Sequence, residues 1–196
     1  MPISRPSPRR QQLLAAAEAV VAAHGLRGLT HRAVDRQAGF AEGTCSSYFR
    51  TRRALQEGLA QHVAAHLTAD VTDLSAALAP VVGDYARAAE LTSGLFLRWL
   101  HELDRVVAVL ELTLEATRDP ELARLLAGWQ RELGLVVHRV LREAGRDPDP
   151  ARTETLVAAL YGVLLGGLLR EPTQRPAYLA ASLTLLFDGL SESAHG

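Results

Sequence analysis

Few side chains in this sequence stand where they could do covalent or metal chemistry. Cys45 is the sole thiol. It lies in a short polar segment, where a buried small hydrophobe is a more ordinary role than a nucleophile. His62 and His66 are four apart, so a helix would set both on one face, able to share a metal ion. No third or fourth ligand accompanies them at a known spacing, which favours surface or interdomain histidines. Glu111 and Glu115 are also four apart, but they lack the Glu-x-x-His partner that di-iron bundles use. There is no glycine-rich phosphate loop and no Gly-x-Ser-x-Gly elbow. The chain is therefore not expected to be an enzyme, and no catalytic residue, metal or cofactor is assigned. A helical-bundle metalloenzyme using His62, His66 or Glu111 is kept as an alternative.

The chemistry that the sequence does concentrate is cationic. Of 196 residues, 21 are Lys or Arg and 22 are Asp or Glu, for a net charge of −1, and every cation is an arginine. Residues 1–66 carry nine arginines against four acids, a balance of +5; residues 67–196 carry twelve against eighteen, a balance of −6. A basic head of this size is what phosphate binding requires. Hydrophobic residues at 48% and charged residues at 22% suit a globular fold. A single cysteine excludes an intrachain disulfide and favours a reducing interior. The N-terminus MPISRPSPRR lacks the apolar core of a signal peptide. The longest uncharged apolar run, Thr155 to Leu169, has 15 residues, short of the roughly 20 needed to span a bilayer. No membrane association is expected, and a cytoplasmic location is.

The elements that would position these groups read as helices throughout. Residues 1–8 form an arm with Pro2, Pro6 and Pro8. From Arg9, Leu13, Leu14, Ala17, Val20 and Val21 fall at helical spacing, with Gly25 as the stop. Thr30 is an N-cap before His-Arg-Ala-Val-Asp-Arg-Gln-Ala, and Gly39 ends that short helix. A third helix is expected through Glu42 to Phe49, and Thr51 caps a long one carrying Leu55, Leu59, Val63 and Leu67. Downstream, Tyr85 to Leu103 and Val107 to Leu114 make helices with a break near Glu102–Asp104. Asp119-Pro120 opens another, ended by Gly145 and a turn at Arg146–Pro150. Two more helices are expected, at about residues 151–169 and 176–190.

Helix, turn and short helix over residues 30–49 match a helix-turn-helix, in which Ala33 or Ala38 and Gly39 supply the small residues of the crossing and turn. The second helix of such a unit lies in a DNA major groove while the first crosses the backbone. The stretch Thr30-His-Arg-Ala-Val-Asp-Arg-Gln-Ala-Gly-Phe-Ala-Glu-Gly-Thr-Cys-Ser-Ser-Tyr-Phe-Arg-Thr-Arg-Arg-Ala-Leu55 resembles the N-terminal domain of the TetR family of transcriptional regulators. The resemblance covers about residues 9–60. It implies an all-α fold, with a three-helix DNA-binding domain at residues 9–55 and a helical ligand-binding and dimerisation domain at residues 56–196.

It also implies roles at matching positions. Thr30 and Arg32 should touch phosphate, and Gly43 and Thr44 should open the recognition helix. Ser46 and Ser47 should reach base edges, and Tyr48 should offer its phenol to phosphate. Arg52 should hold a phosphate near the next helix, and Phe49 should be core. Arg5, Arg9 and Arg10 should follow a minor groove or the backbone. Two departures from the family pattern stand out. Ala41 replaces the usual capping serine, so the recognition helix is expected to order fully only on DNA. Ser46 replaces a common tyrosine. Glu42 is expected to favour the helix dipole rather than a cytosine amine.

In the resembling family the C-terminal part dimerises and encloses a ligand. A four-helix dimer core is expected from Leu160, Gly162, Leu164 and Gly166 on one helix and Leu183, Leu186 and Phe187 on the next. A pocket for a small apolar or amphipathic ligand is expected from Phe96, Trp99, Leu100, Leu110, Leu114, Leu126 and Trp129, with Tyr85, His101 and Glu111 as polar groups. The reading is a homodimeric regulator, a repressor that a ligand releases from a near-palindromic double-stranded DNA operator. The alternative from another class is a ligand-independent helical interaction module. Salt-sensitive DNA affinity that is lost in Arg52→Ala separates the two.

Overall fold

In the computed structural model, residues 7–143 and 149–192 are described. The expected stop at Gly145, most of the turn that follows it and Arg5 lie outside them. The helices are α1 (Pro8–Gly28), α2 (His31–Ala38), α3 (Thr44–Tyr48), α4 (Arg52–Leu78), α5 (Tyr85–His101), α6 (Leu103–Ala116), α7 (Pro120–Glu143), α8 (Pro150–Leu168) and α9 (Arg175–Glu192). Short 3-10 turns at Ala79–Val81 and Pro172–Gln174 follow α4 and precede α9. Among the described residues there is no strand, and no helix is long and apolar enough to cross a membrane.

The chain forms two compact units, residues 1–66 with 102–129 and residues 67–101 with 130–196. In the first, Ser7 caps α1 by accepting from the Arg10 amide, and Pro8 takes the first helical position. Leu13, Leu14, Ala17, Val20 and Val21 are buried at spacings of one, three and four, the stripe by which α1 packs on α6 and α2. Gly25 does break α1, at φ 64°, but one more helical turn follows before Leu29. The break removes the helical partner of the next amide. Glu111 of α6 replaces it, its Oε2 accepting from Leu26 N–H at 3.0 Å.

In the second unit α5 packs on α9, and α9 on α8. Leu95, Leu100, Leu179 and Leu183 are almost fully enclosed. Glycines on α8 set the approach: a Cβ at Gly167 would lie 2.7 Å from Leu100 Cδ1, and one at Gly166 would lie 2.0 Å from the Tyr178 hydroxyl. Arg170 lies over the Tyr178 ring, 3.5 Å from its centre, and Arg175 donates to the Leu100 carbonyl at 2.7 Å. Of the residues expected at a dimer interface, Leu164 and Leu183 are buried within their own unit, and Gly166 lies against Tyr178. Leu165 on α8, Leu169 at its C-cap and Leu185 on α9 are exposed. The sequence could not separate these faces because α8 is apolar nearly all round.

Candidate nucleic-acid interface

The basic head is built from α1 to α4. Thr30 has an extended backbone, and its Oγ1 accepts from Ala33 N–H at 3.1 Å, so α2 starts where expected. Gly39, at φ 69°, closes α2 in the left-handed conformation that a side chain would disfavour. The turn then runs to Gly43, at φ 95°, and α3 follows from Thr44. It is shorter than the expected Glu42–Phe49 helix: Glu42 belongs to the turn and Phe49 is the C-cap.

The cap missing at Ala41 comes from another helix. Asp35 of α2 is 2% exposed. Its Oδ2 accepts from Gly43 N–H at 2.9 Å and its Oδ1 from Cys45 N–H at 2.7 Å. Sequence reasoning missed this residue, because its partners are 8 and 10 positions away, outside the reach of local capping rules. The expectation that α3 orders fully only on DNA rested on the absent cap, and Asp35 supplies one from α2.

Under α3 the packing is dry. Val34, Cys45 and Leu55 are fully buried and Phe49 is 3% exposed. The Phe49 ring fits against Gly58 of α4, where a Cβ would come within 2.6 Å of it, and the Arg10 guanidinium covers it at 5.1 Å. Arg9 stacks similarly over Phe40 at 4.9 Å. Burial, and then the negative charge of Asp35, push the Cys45 thiol up to about 11. A thiol that stays protonated and enclosed is a small core side chain rather than a nucleophile.

The outer face carries the polar groups. Ser46, Ser47 and Tyr48 are exposed, Tyr48 at 40%. Ser46 and Ser47 donate to the Gly43 and Thr44 carbonyls, and Thr44 donates to the Ala41 carbonyl at 2.7 Å. Each hydroxyl keeps its acceptor lone pairs free for an outside donor. Arg32 meets Glu42 at 2.6 Å on the open surface, so Glu42 acts as an ion-pair partner rather than only on a helix dipole. Arg52, expected on phosphate, donates to the Leu26 carbonyl at 2.6 Å and so ties α4 to the end of α1. Arg53 pairs with Glu57, Asp119 and Glu121.

The other assigned residues fall into separate places. Phe96, Trp99 and Leu100 are on α5 in the second unit; Leu110 and Leu114 on α6, and Leu126 and Trp129 on α7, belong to the first. Leu114 is 60% exposed and Leu126 and Trp129 are buried. Glu111, expected among pocket polar groups, is committed to the Leu26 amide. In the second unit the Phe96 and Trp99 rings stack at 5.6 Å, and Trp99 Nε1 donates to Asp70 at 2.7 Å. His62 and His66 meet edge to face at 4.5 Å. Burial first, then His66, Arg105 and Arg10, hold His62 down to about 4. His62 faces Glu18 at 3.6 Å, with Arg105 also close to that carboxylate. Among the described residues no group of three or more His, Cys, Asp or Glu is arranged to hold a metal ion.

A capped helix-turn-helix with a basic surround, joined to a larger helical body, defines a transcription-regulator architecture. Comparison with known proteins gives the family. The model of the bacterial regulatory proteins of the tetR family matches residues 13–59, and that of the tetracyclin repressor-like C-terminal domain matches residues 83–189. The chain belongs to the TetR family. A TetR-family member from Streptomyces coelicolor A3 is 29% identical, with a TM-score of 0.69 over 92% of this chain and 98% of that one. The multidrug binding protein EbrR, complexed with ethidium, is 26% identical, with a TM-score of 0.65 over 93% and 99%. A TetR-family regulator from Mesorhizobium loti MAFF303099 shares the fold at 14% identity, with a TM-score of 0.76 over 95% and 98%. Among proteins of curated function, none matches this chain by sequence.

Proposed function

We propose that this chain is a homodimeric DNA-binding repressor that a small aromatic or amphipathic molecule releases from a near-palindromic operator. The observation that carries the reading is the free outer face of α3. Ser46, Ser47 and Tyr48 project from a helix fixed by its own protein, in a segment with a balance of +5. Such a helix fits one major groove, and two copies would read successive grooves about 34 Å apart. Thr30, Arg32, Gly43 and Thr44 flank that face and serve as its backbone contacts; Arg52 contributes by holding α1 against α4.

Leu165, Leu169 and Leu185, 39%, 87% and 75% exposed, are the apolar residues that a second copy would cover, beside Leu160, Gly162, Leu186 and Phe187. For the ligand, the Phe96–Trp99 stack beside the Asp70 carboxylate suits a flat aromatic molecule, and a positive charge on it would gain from both aromatic faces and carboxylate. EbrR, a relative, takes ethidium. Ligand release is then a shift between two states of the dimer, requiring tighter binding to one of them.

The test is selection of genomic fragments by the full chain at about 0.15 M salt, with and without Tyr48→Ala. Enrichment of one inverted repeat by the wild type, lost in the variant and reversed by added ethidium, is the expected result. Recovery of sequence-blind, salt-sensitive binding alone would refute the operator reading.

A further inference from the structure

We infer that Asp35 is a positioning residue for DNA reading: from the scaffold helix it fixes the rotation of the recognition helix, beyond merely capping it. The inference rests on the reading of α3 as the DNA-contacting helix.

A helix as short as Thr44–Tyr48 is far below the about 12–15 residues needed to persist alone. Its N-cap, Gly43, offers no side chain, and Thr44 N–H is already met by the Ala41 carbonyl at 3.1 Å. Two further amides at the start, Gly43 and Cys45, both bond the Asp35 carboxylate, one to each oxygen. One bond would leave α3 free to swivel about it. Two bonds to the two oxygens of one planar group remove that freedom, because any rotation of α3 lengthens one of them. The planar group cannot follow, since Asp35 is 2% exposed and stands on α2 beside fully buried Val34. Ser46, Ser47 and Tyr48 lie within one turn of the held Cys45 amide, so their direction relative to α2 follows from the carboxylate. A serine at position 41 would reach only the Gly43 amide, two residues on and from inside the turn, leaving α2 and α3 untied.

That difference separates positioning from capping. The full-length wild type, Asp35→Ala, Asp35→Asn and Asp35→Ala/Ala41→Ser are compared on two duplexes of about 30 base pairs: the inverted repeat that the wild type enriches, and its scrambled counterpart. Amide hydrogen exchange at Gly43 and Cys45 is followed in parallel. Asp35→Ala is expected to speed both amides by about tenfold or more and to lower the repeat-over-scrambled preference by about tenfold, with scrambled binding nearly unchanged. Adding Ala41→Ser is expected to restore protection at Gly43 without restoring the preference.

Recovery of the preference with Ala41→Ser, or an unchanged preference in Asp35→Ala, would overturn the inference. Should Asp35→Ala not fold, Asp35→Asn decides, because it keeps one acceptor and loses the second tie. A reduced preference supports positioning and an unaltered one overturns it. Should the wild type itself show no preference, the DNA reading fails; the exchange of the two amides in Asp35→Asn then shows whether the carboxylate holds α3, and unaltered exchange overturns that too.

Discussion

Substitution of Glu111 probes how α1 is held at its break. Gly25 at φ 64° interrupts α1 and leaves the Leu26 N–H without a helical partner. Leu26 is 5% exposed, so water cannot satisfy it freely. Glu111 of α6 accepts its N–H at 3.0 Å, and Arg52 of α4 donates to its carbonyl at 2.6 Å. Both bonds involve a charged group, the stronger class, worth about 1.5–3 kcal/mol each when partly buried. Glu111→Ala removes one bond and leaves a nearly buried amide without an acceptor, for an expected loss of about 2–3 kcal/mol. Glu111→Gln keeps a neutral carbonyl acceptor and should cost about 1 kcal/mol. At this chain length each kcal/mol moves the midpoint by about 2–4 °C, so the alanine variant should melt roughly 4–12 °C lower. Urea and thermal unfolding followed by circular dichroism, at one fixed protein concentration because assembly shifts the apparent stability, would measure it. Exchange of the Leu26 amide would localise it. Equal stabilities for the two variants and wild type, with Leu26 exchange unchanged, would refute the reasoning.

Thr30→Ala removes the Oγ1 acceptor of Ala33 N–H and should cost about 1 kcal/mol in urea unfolding; Thr30→Ser should restore most of it. Gly58→Ala places a Cβ 2.6 Å from the Phe49 ring, an overpacking cost of about 1–3 kcal/mol. Pairing it with Phe49→Leu should return part of that loss in a double-mutant cycle, and strict additivity of the two single losses would contradict the contact. His62, held near 4 against an ordinary 6.5, stays neutral when folded while the unfolded chain takes up a proton. Its contribution therefore favours the fold above pH about 6.5 and is lost as pH falls toward about 4, by at most about 3 kcal/mol. Glu18, raised by burial against the pull of Arg105, works in the opposite direction. The difference between wild type and His62→Gln in unfolding free energy across that window is thus the measurement, and parallel curves would count against the burial of His62.

How much of this was legible in the sequence depended on the range of each interaction. Thr30, Gly39 and the Asp119-Pro120 opening are local signals. Each of these helix ends bonds within three residues of itself, as with Asp119 accepting from the Glu121 and Leu122 amides, and their residue types announced them. The fold class followed from such ends together with spacing of the apolar residues. Asp35 and Glu111 were opaque for the opposite reason. Asp35, between Val34 and Arg36, carries no local capping signal, and Glu111 reads as a pocket or metal-binding carboxylate; only the packing of α2 on α3 and of α1 on α6 brings each to a backbone amide, Glu111 across 85 positions.

The side chains assigned to DNA divide along the same line. Ser46 and Ser47 bond carbonyls three residues back, and all three of Ser46, Ser47 and Tyr48 are exposed, so their exposure needs no knowledge of the tertiary fold. Arg52 was assigned to phosphate by the family resemblance, yet its guanidinium bonds the carbonyl of Leu26, the residue whose N–H Glu111 holds. The end of α1 is thus gripped on its amide by α6 and on its carbonyl by α4. A charge that the family resemblance gives to DNA is also part of what fixes the helix-turn-helix head. Loss of DNA affinity on changing Arg52 would therefore report on that grip as much as on any phosphate, whereas Tyr48, exposed on α3, would test the proposed DNA surface apart from it.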